Sequence, residues 1–282
     1  LGLALLTAGL AFKIAAVPFH MWTPDVYEGG PIPISAYLAA ASKAAALAMM
    51  MRLAASVFSN VLEVWSIIMI LLAVASLVLG NLVAIRQTNI KRLMAYSSIG
   101  QVGFFLLGIA AFVSNNPSEP AAGLLIHAVS YGVATLTAFM AILIVYNQTG
   151  VEEIKDYAGL SKRNPFIALV LTVSFFSLAG FPFFVGFASK FYLFTTISVA
   201  GNHFLGLVGL AILASIISMY YYLKVIKTMY VDEPNESGSI PIMINIPMRV
   251  VFISLTLLIG LGGLYVLPLA RAAEVAARSL FV

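Results

Sequence analysis

The chain has 282 residues, of which 62% are hydrophobic and 9% charged, and its net charge is +4. Its mean hydropathy is +1.04, far above that of a soluble domain, which runs about 45–50% apolar and about 25% charged. One globule cannot hide that much apolar surface, so lipid must cover it and the chain reads as an all-α polytopic membrane protein. Zero cysteines exclude disulfides, thiolate-bound zinc and cysteine-ligated iron–sulfur clusters. Three histidines leave little to hold a haem or a transition metal, so in an electron-transport system this chain would not carry the electrons itself. The basic residues are spread over short loops, which does not point to nucleic acid.

The first residues, LGLALLTAGLAFKIAAV, open inside an apolar run with neither Met nor a basic leader. That is not the pattern of a signal peptide, and it suggests the carboxy-terminal part of a longer protein. A spanning helix needs about 20 apolar residues. Eight such runs are expected, at 1–17, 33–54, 63–86, 90–113, 119–148, 165–199, 203–230 and 247–269. The first stops at Pro18 and passes into the polar, proline-punctuated stretch PFHMWTPDVYEGGPIP. The sixth is too long for one straight span and is interrupted by Ala179-Gly180-Phe181-Pro182. Proline removes a helix donor and clashes with the preceding turn, so both are expected to be broken helices. Ordinary kinks at Pro18 and Pro182 are the competing reading. Non-helical backbone at membrane depth is tolerated only where it is buried in protein or lines a wet cavity, and half-helix ends beside midplane charges recur in transporters.

Basic residues set the orientation. Arg86, Lys91, Arg92, Lys155, Lys162, Arg163, Lys224, Lys227 and Arg249 share one side, against Arg52, Arg271 and Arg278 on the other. The first group is therefore expected in the cytoplasm and the carboxy terminus outside it. Two connectors, GVEEIKDYAGLSKR and VDEPNESGSIPIMINIP, are expected on the cytoplasmic side, the first solvated and the second flexible.

Lys13, Lys43 and Lys190 belong to neither side, because each sits inside an apolar run. A lysine at a helix centre costs about 2.5–3.5 kcal/mol on insertion scales. Snorkelling to a headgroup would relieve one such site, but three together point to an ion or proton pathway. All the acidic residues, Asp25, Glu28, Glu63, Glu119, Glu152, Glu153, Asp156, Asp232, Glu233, Glu236 and Glu274, fall in loops or at span ends. The lysines thus have no carboxylate at their own depth. Desolvation disfavours a charged form, and an amine near neutrality can take and release protons. Ser42, Asn81, Tyr96, Ser97, Ser98, Gln101, His127, Tyr131 and Thr135 could fill the gaps between them. His127 is the most interesting, since an imidazole both accepts and donates near neutral pH. A histidine simply hydrogen-bonded between packed helices is the alternative.

Three stretches, FKIAAVPFHMWTPDVYEGGPIPISAYLAAASKAA, GNLVAIRQTNIKRLMAYSSIGQVGF and SLAGFPFFVGFASKFYLF, resemble the antiporter-like membrane subunits of respiratory complex I, the proton-pumping NADH:quinone oxidoreductase. DVYEG together with lysine at position 43 is most similar to the N-type branch of these subunits. The resemblance implies an antiporter-like inverted-repeat fold. Residues 1–54 would end the first repeat, 63–230 would form the second with its broken helix at 165–199, and 247–282 would be a final helix and external tail. It implies that Lys13 and Lys190 are the lysines of two broken helices, that Lys43 links two half-channels, and that His20 matches a family position. It pairs Lys13 with a glutamate on an earlier helix, which would precede Leu1. Proton translocation through these lysines would be driven by electron transfer in other subunits. NADH, FMN, iron–sulfur clusters and quinone would sit there, and the partners would be other membrane-arm subunits, antiporter-like paralogues among them. The membrane would be the bacterial plasma (inner) membrane, or an organellar inner or thylakoid membrane. A subunit of a stand-alone cation/proton antiporter and a non-pumping scaffold remain the competing readings.

Overall fold

The computed structural model describes residues 1–234 and 242–281. Part of the second connector, 235–241 with Glu236, lies outside the described residues. Among the described residues there is no β-strand, only an isolated bridge between Asn89 and Glu153. The helices run in chain order as α1 (Gly2–Ile14), α2 (Trp22–Gly29), α3 (Ile32–Tyr37), α4 (Lys43–Ser56), α5 (Leu62–Ala84), α6 (Ile90–Ala110), α7 (Ser118–Thr149), α8 (Leu160–Arg163), α9 (Pro165–Ala179), α10 (Val185–Ser198), α11 (Asn202–Tyr230), α12 (Ile246–Leu264) and α13 (Leu267–Arg278).

Six helical segments are long and apolar enough to cross a membrane, against the eight runs expected: Ile32–Ser56, Ser59–Ala84, Ile90–Val113, Ser118–Thr149, Asn202–Tyr230 and Ile246–Leu264. The other two runs are built from shorter helices, α1 and the α9–α10 pair, of which α1 and α9 are apolar. Asparagine starts several elements. The Asn89 side chain accepts from the amides of Lys91 and Arg92, Asn164 from Ile167, and Asn245 from Met248, each satisfying an amide the first turn leaves free. Gly150 (φ 71°) and Gly180 (φ 84°) close α7 and α9 in the left-handed region that glycine adopts without a Cβ penalty.

The polar stretch after Pro18 folds into α2, with Pro24 in its first turn, where a missing amide costs nothing. The last apolar span ends at Leu264, and beyond it α13 packs with Ala270, Ala273 and Ala277 buried. Two expectations need correction. The run 33–54 is not one regular helix, since a π-turn over Leu38–Ser42 separates α3 from α4. The 149–163 connector is pinned rather than solvated. Its Ile154, Tyr157 and Leu160 are buried, the amide of Ile90 donates to Glu152 O at 2.9 Å, and that of Ile154 donates to Thr88 O at 2.7 Å. Lys91 pairs with Glu152 at 2.5 Å. Arg92 reaches Asp25 at 2.9 Å and Glu28 at 2.5 Å, which ties α2 to the start of α6.

α6 is the axis of the bundle and is buried along nearly its whole length. It lies very close to α5. A Cβ on Gly80 would stand 2.5 Å from the Gly100 amide nitrogen, and one on Gly103 would stand 2.9 Å from Ala73 O. Without a hydrophobic force between helices in lipid, such small-residue contacts let backbones approach and pack.

Candidate functional site

Lys43 opens α4 directly after the π-turn. Insertion of one residue per turn shifts the register of everything that follows, and such bulges are frequent at functional sites. The amine is buried at 2% exposure and donates to Ser98 O at 3.0 Å and Ser98 Oγ at 2.9 Å on α6. The Ser98 hydroxyl in turn donates to Ala95 O at 2.8 Å.

Lys190, 4% exposed, sits differently. Its amine donates to Leu178 O at 3.0 Å and Ala179 O at 3.2 Å. These are carbonyls of the last turn of α9, which has no further residues to bond them and carries the negative end of the helix dipole. The Phe104 ring lies 4.9 Å from the ammonium, within cation–π range. The break is thus the seat: α9 stops at Gly180, and its open carbonyls receive the lysine of the helix that follows. Packing there is tight, because a Cβ on Gly186 would fall 1.7 Å from Ser177 O. Gln101 Nε2 shares Leu178 O at 3.1 Å.

His127 on α7 is buried beside Phe104 and Phe105. Its Nδ1 lies 3.1 Å from Ser189 Oγ, which itself donates to Gly186 O at 3.0 Å. With the serine proton so committed, Nδ1 must carry the hydrogen, which leaves Nε2 as a free acceptor. No partner meets Nε2 or Gln101 Oε1, and the Tyr131 hydroxyl stands beside Thr135 and Ser98 without a well-aligned hydrogen bond to either. His127, Gln101, Tyr131 and Lys190 line one small cavity with about 10 Å³ of free space, close to the room one water needs. Tyr131 also faces Ser98, the acceptor of Lys43. Ser98, Tyr131 and the cavity therefore lie between the two amines.

Not every sequence candidate joins this array. Lys13 is exposed and makes no hydrogen bond or ion pair among the described residues, so within this chain it is not a buried lysine. It lies in the last turn of α1, which ends at Ala15 with φ 63°; the amide of Val17 beyond it donates to Ser76 Oγ at 3.0 Å. His20 is buried between α1 and α2 and bonds to neither Lys43 nor Lys190. Ser42 is buried at the end of the π-turn, and Tyr96 packs against Ala15, Val17 and Ile99. Asn81 and Ser97 pair with tyrosines of α11. Ser189, Tyr221 and Tyr222 were not anticipated. The tripeptide Ala-Ser-Lys occurs at both 41–43 and 188–190 and would have flagged Ser189. Among the described residues no group of three or more His, Asp or Glu is placed to hold a metal.

An all-helical membrane bundle with lysines seated on a helix break and a π-turn is the architecture of an antiporter-like transporter subunit. Residues 1–218 match the family described as NADH:quinone oxidoreductase/Mrp antiporter, TM, and the chain belongs to that family. It is 44% identical over 281 residues to NADH-quinone oxidoreductase subunit N of Desulforamulus reducens, covering 100% of this chain and 57% of that protein. The chain thus spans a little over half the length of the curated relatives it matches. A chain of the respiratory complex I from Thermus thermophilus is similar at 33% identity and TM-score 0.75, over 93% of this chain and 56% of that one. A chain of the Mrp complex from Dietzia sp. is similar at TM-score 0.88 but 20% identity, over 99% of this chain and 59% of that one, a likeness of fold alone.

Proposed function

We propose that this chain belongs to a proton-translocating membrane subunit of an NADH:quinone oxidoreductase, in which Lys43 and Lys190 load and release protons in response to electron transfer in other subunits. One observation carries the reading. Both amines are buried, held by hydroxyl and carbonyl oxygens without any carboxylate among the described residues, and a run of unpaired polar atoms lies between them. A structural lysine is paired and static, whereas these two have neutral acceptors that serve either protonation state. His127 Nε2 and the Tyr131 hydroxyl, with one water in the cavity, would pass a proton between them. The names and identities of the relatives favour this over a stand-alone cation/proton antiporter.

On this reading α1 and the α9–α10 pair are two broken spans, with Pro18 and Pro182 at the breaks, which brings the crossings to eight. The basic group that includes Lys91, Arg92 and Lys224 faces the cytoplasm and the carboxy terminus faces away. Residues 1–54 close one inverted repeat and 63–230 form the next. Lys13 continues the lysine series, with its carboxylate partner and His20 as neighbours toward the preceding helices. Redox cofactors belong to other subunits, and antiporter-like paralogues flank this one in the plasma membrane.

Lys43→Ala and Lys190→Ala in the assembled complex test the reading. Proton uptake coupled to turnover should fall sharply and electron transfer should slow. Undiminished pumping by both variants at normal assembly would overturn it. Native electrophoresis with mass spectrometry of the wild-type particle separates the alternatives. Co-migration with iron–sulfur subunits fits the oxidoreductase, and a particle of antiporter-like chains alone fits the antiporter.

A further inference from the structure

A second buried polar cluster joins α5, α6 and α11. The Tyr221 hydroxyl on α11 donates to Asn81 Oδ1 on α5 at 3.1 Å. The Tyr222 hydroxyl lies 2.5 Å from Ser97 Oγ on α6. The two rings touch, with centroids 4.7 Å apart, and all four residues are at most 2% exposed. Hydrophobic residues of the same size would hold α5, α6 and α11 together equally well, and buried polar pairs are weak evidence of stability.

The cluster has two ends. Inward, Ser97 adjoins Ser98, whose hydroxyl receives the Lys43 amine at 2.9 Å. Outward, Tyr221 shares a stripe of α11 with Lys224 and Thr228, both of which line a cavity of about 450 Å³. That cavity is also lined by Gln87, Thr88, Glu153, Lys155, Asp232 and Glu233, and it opens on the face assigned above to the cytoplasm. Thr228 lies about 10 Å of helix from Tyr221, and Asn81 lies one turn below the end of α5. The cluster thus stands between an open vestibule and a buried amine.

We propose that Tyr221–Asn81 and Tyr222–Ser97 form the access route by which protons reach Lys43 from that vestibule. The inference rests on the proton-translocating reading of Lys43. Each hydroxyl accepts one proton as it hands on its own, so no tyrosine is left ionised and Lys43 Nζ takes up the proton that arrives. Asn81 is a positioning residue, since its carbonyl oxygen orients the Tyr221 hydroxyl and its amide is held by Leu77 O at 2.8 Å.

The test uses the intact complex in sealed vesicles, with Tyr222→Phe, Tyr221→Phe and Ser97→Ala compared with Lys43→Ala. Assembly is read by native electrophoresis, translocation by a pH-sensitive dye, and relay character by the effect of D₂O on the translocation rate. Removal of one hydroxyl should slow translocation about tenfold and enlarge the D₂O effect, at normal assembly. A merely structural pair would alter assembly and leave the D₂O effect unchanged. Should Tyr222→Phe fail to assemble, Ser97→Ala breaks the same bond from the other helix. Wild-type translocation in the tyrosine and serine variants, with Lys43→Ala inactive, would overturn the route and leave the reading of Lys43 standing. Normal translocation by Lys43→Ala would overturn both.

Discussion

Gly186→Ala probes the seat of Lys190 without touching the lysine. The added Cβ would lie 1.7 Å from Ser177 O and 2.6 Å from Ser177 C. Both are backbone atoms, so no rotamer relieves the clash. Ordinary contact needs about 3.5 Å, and α10 must therefore withdraw from α9 by about 2 Å. Lys190 stands one turn further along α10, and its bonds of 3.0 and 3.2 Å to Leu178 O and Ala179 O would leave hydrogen-bond range. Overpacking and the loss of two bonds from an ammonium together come to on the order of 5 kcal/mol. The amide of Gly186 also gives up Ser177 Oγ, now 3.1 Å away. The assay has two parts, the amount of assembled complex on native gels and protons moved per electron in sealed vesicles. Assembly should fall, and whatever complex forms should pump like Lys190→Ala. Wild-type assembly with wild-type pumping would show that the α9–α10 contact does not hold Lys190 as described.

Gly80→Val should separate α5 from α6, because its Cβ meets the Gly100 backbone at 2.5 Å; the check is loss of the subunit from purified membranes. Arg92→Ala removes two ion pairs from a side chain 30% exposed, and at about 0.5–1 kcal/mol each for partly exposed pairs it should lower thermal stability modestly. Its pumping ratio in vesicles should remain normal. Ser98→Ala and Gln101→Leu act on different lysines, and if one path joins them their combined effect on pumping rate should be less than additive in a double-mutant cycle.

The bundle was legible because hydrophobic run length speaks directly to membrane crossing, and the helix starts at Asn89, Asn164 and Asn245 fall within a residue or two of the expected runs. Lys43 and Lys190 stood out because a charge in an apolar run is conspicuous whatever surrounds it. What they bond to did not. The acceptors of Lys190 are main-chain carbonyls, which carry no residue signature, and the seat exists only because α9 ends there. The π-turn ahead of Lys43 lies in Leu-Ala-Ala-Ala-Ser, which contains no helix breaker. Lys13 differs for a related reason: apolar neighbours in sequence do not decide which face of α1 is covered within this chain. Tyr221 and Tyr222 carry no distinctive signal in the sequence, and only their cross-helix partners single them out.

The two lysines are far apart in sequence and sit on different helices, yet α6 touches both. Ser98 receives Lys43, Gln101 bonds the carbonyl that Lys190 also uses, and Phe104 lies under the Lys190 ammonium. Residues three apart along a helix share a face, so these contacts form one stripe less than three turns long. Ser97, one position from Ser98, turns to α11 and the open vestibule. A displacement of α6 therefore cannot alter the environment of one lysine and spare the other. Gly80, Gly100 and Gly103 press α6 against α5 at backbone contact, so movement along that seam requires a discrete repacking rather than a gradual slide. That gives the chain a mechanical reason for the two sites to respond together: the same buried helix supplies the acceptor of one amine and the aromatic floor of the other.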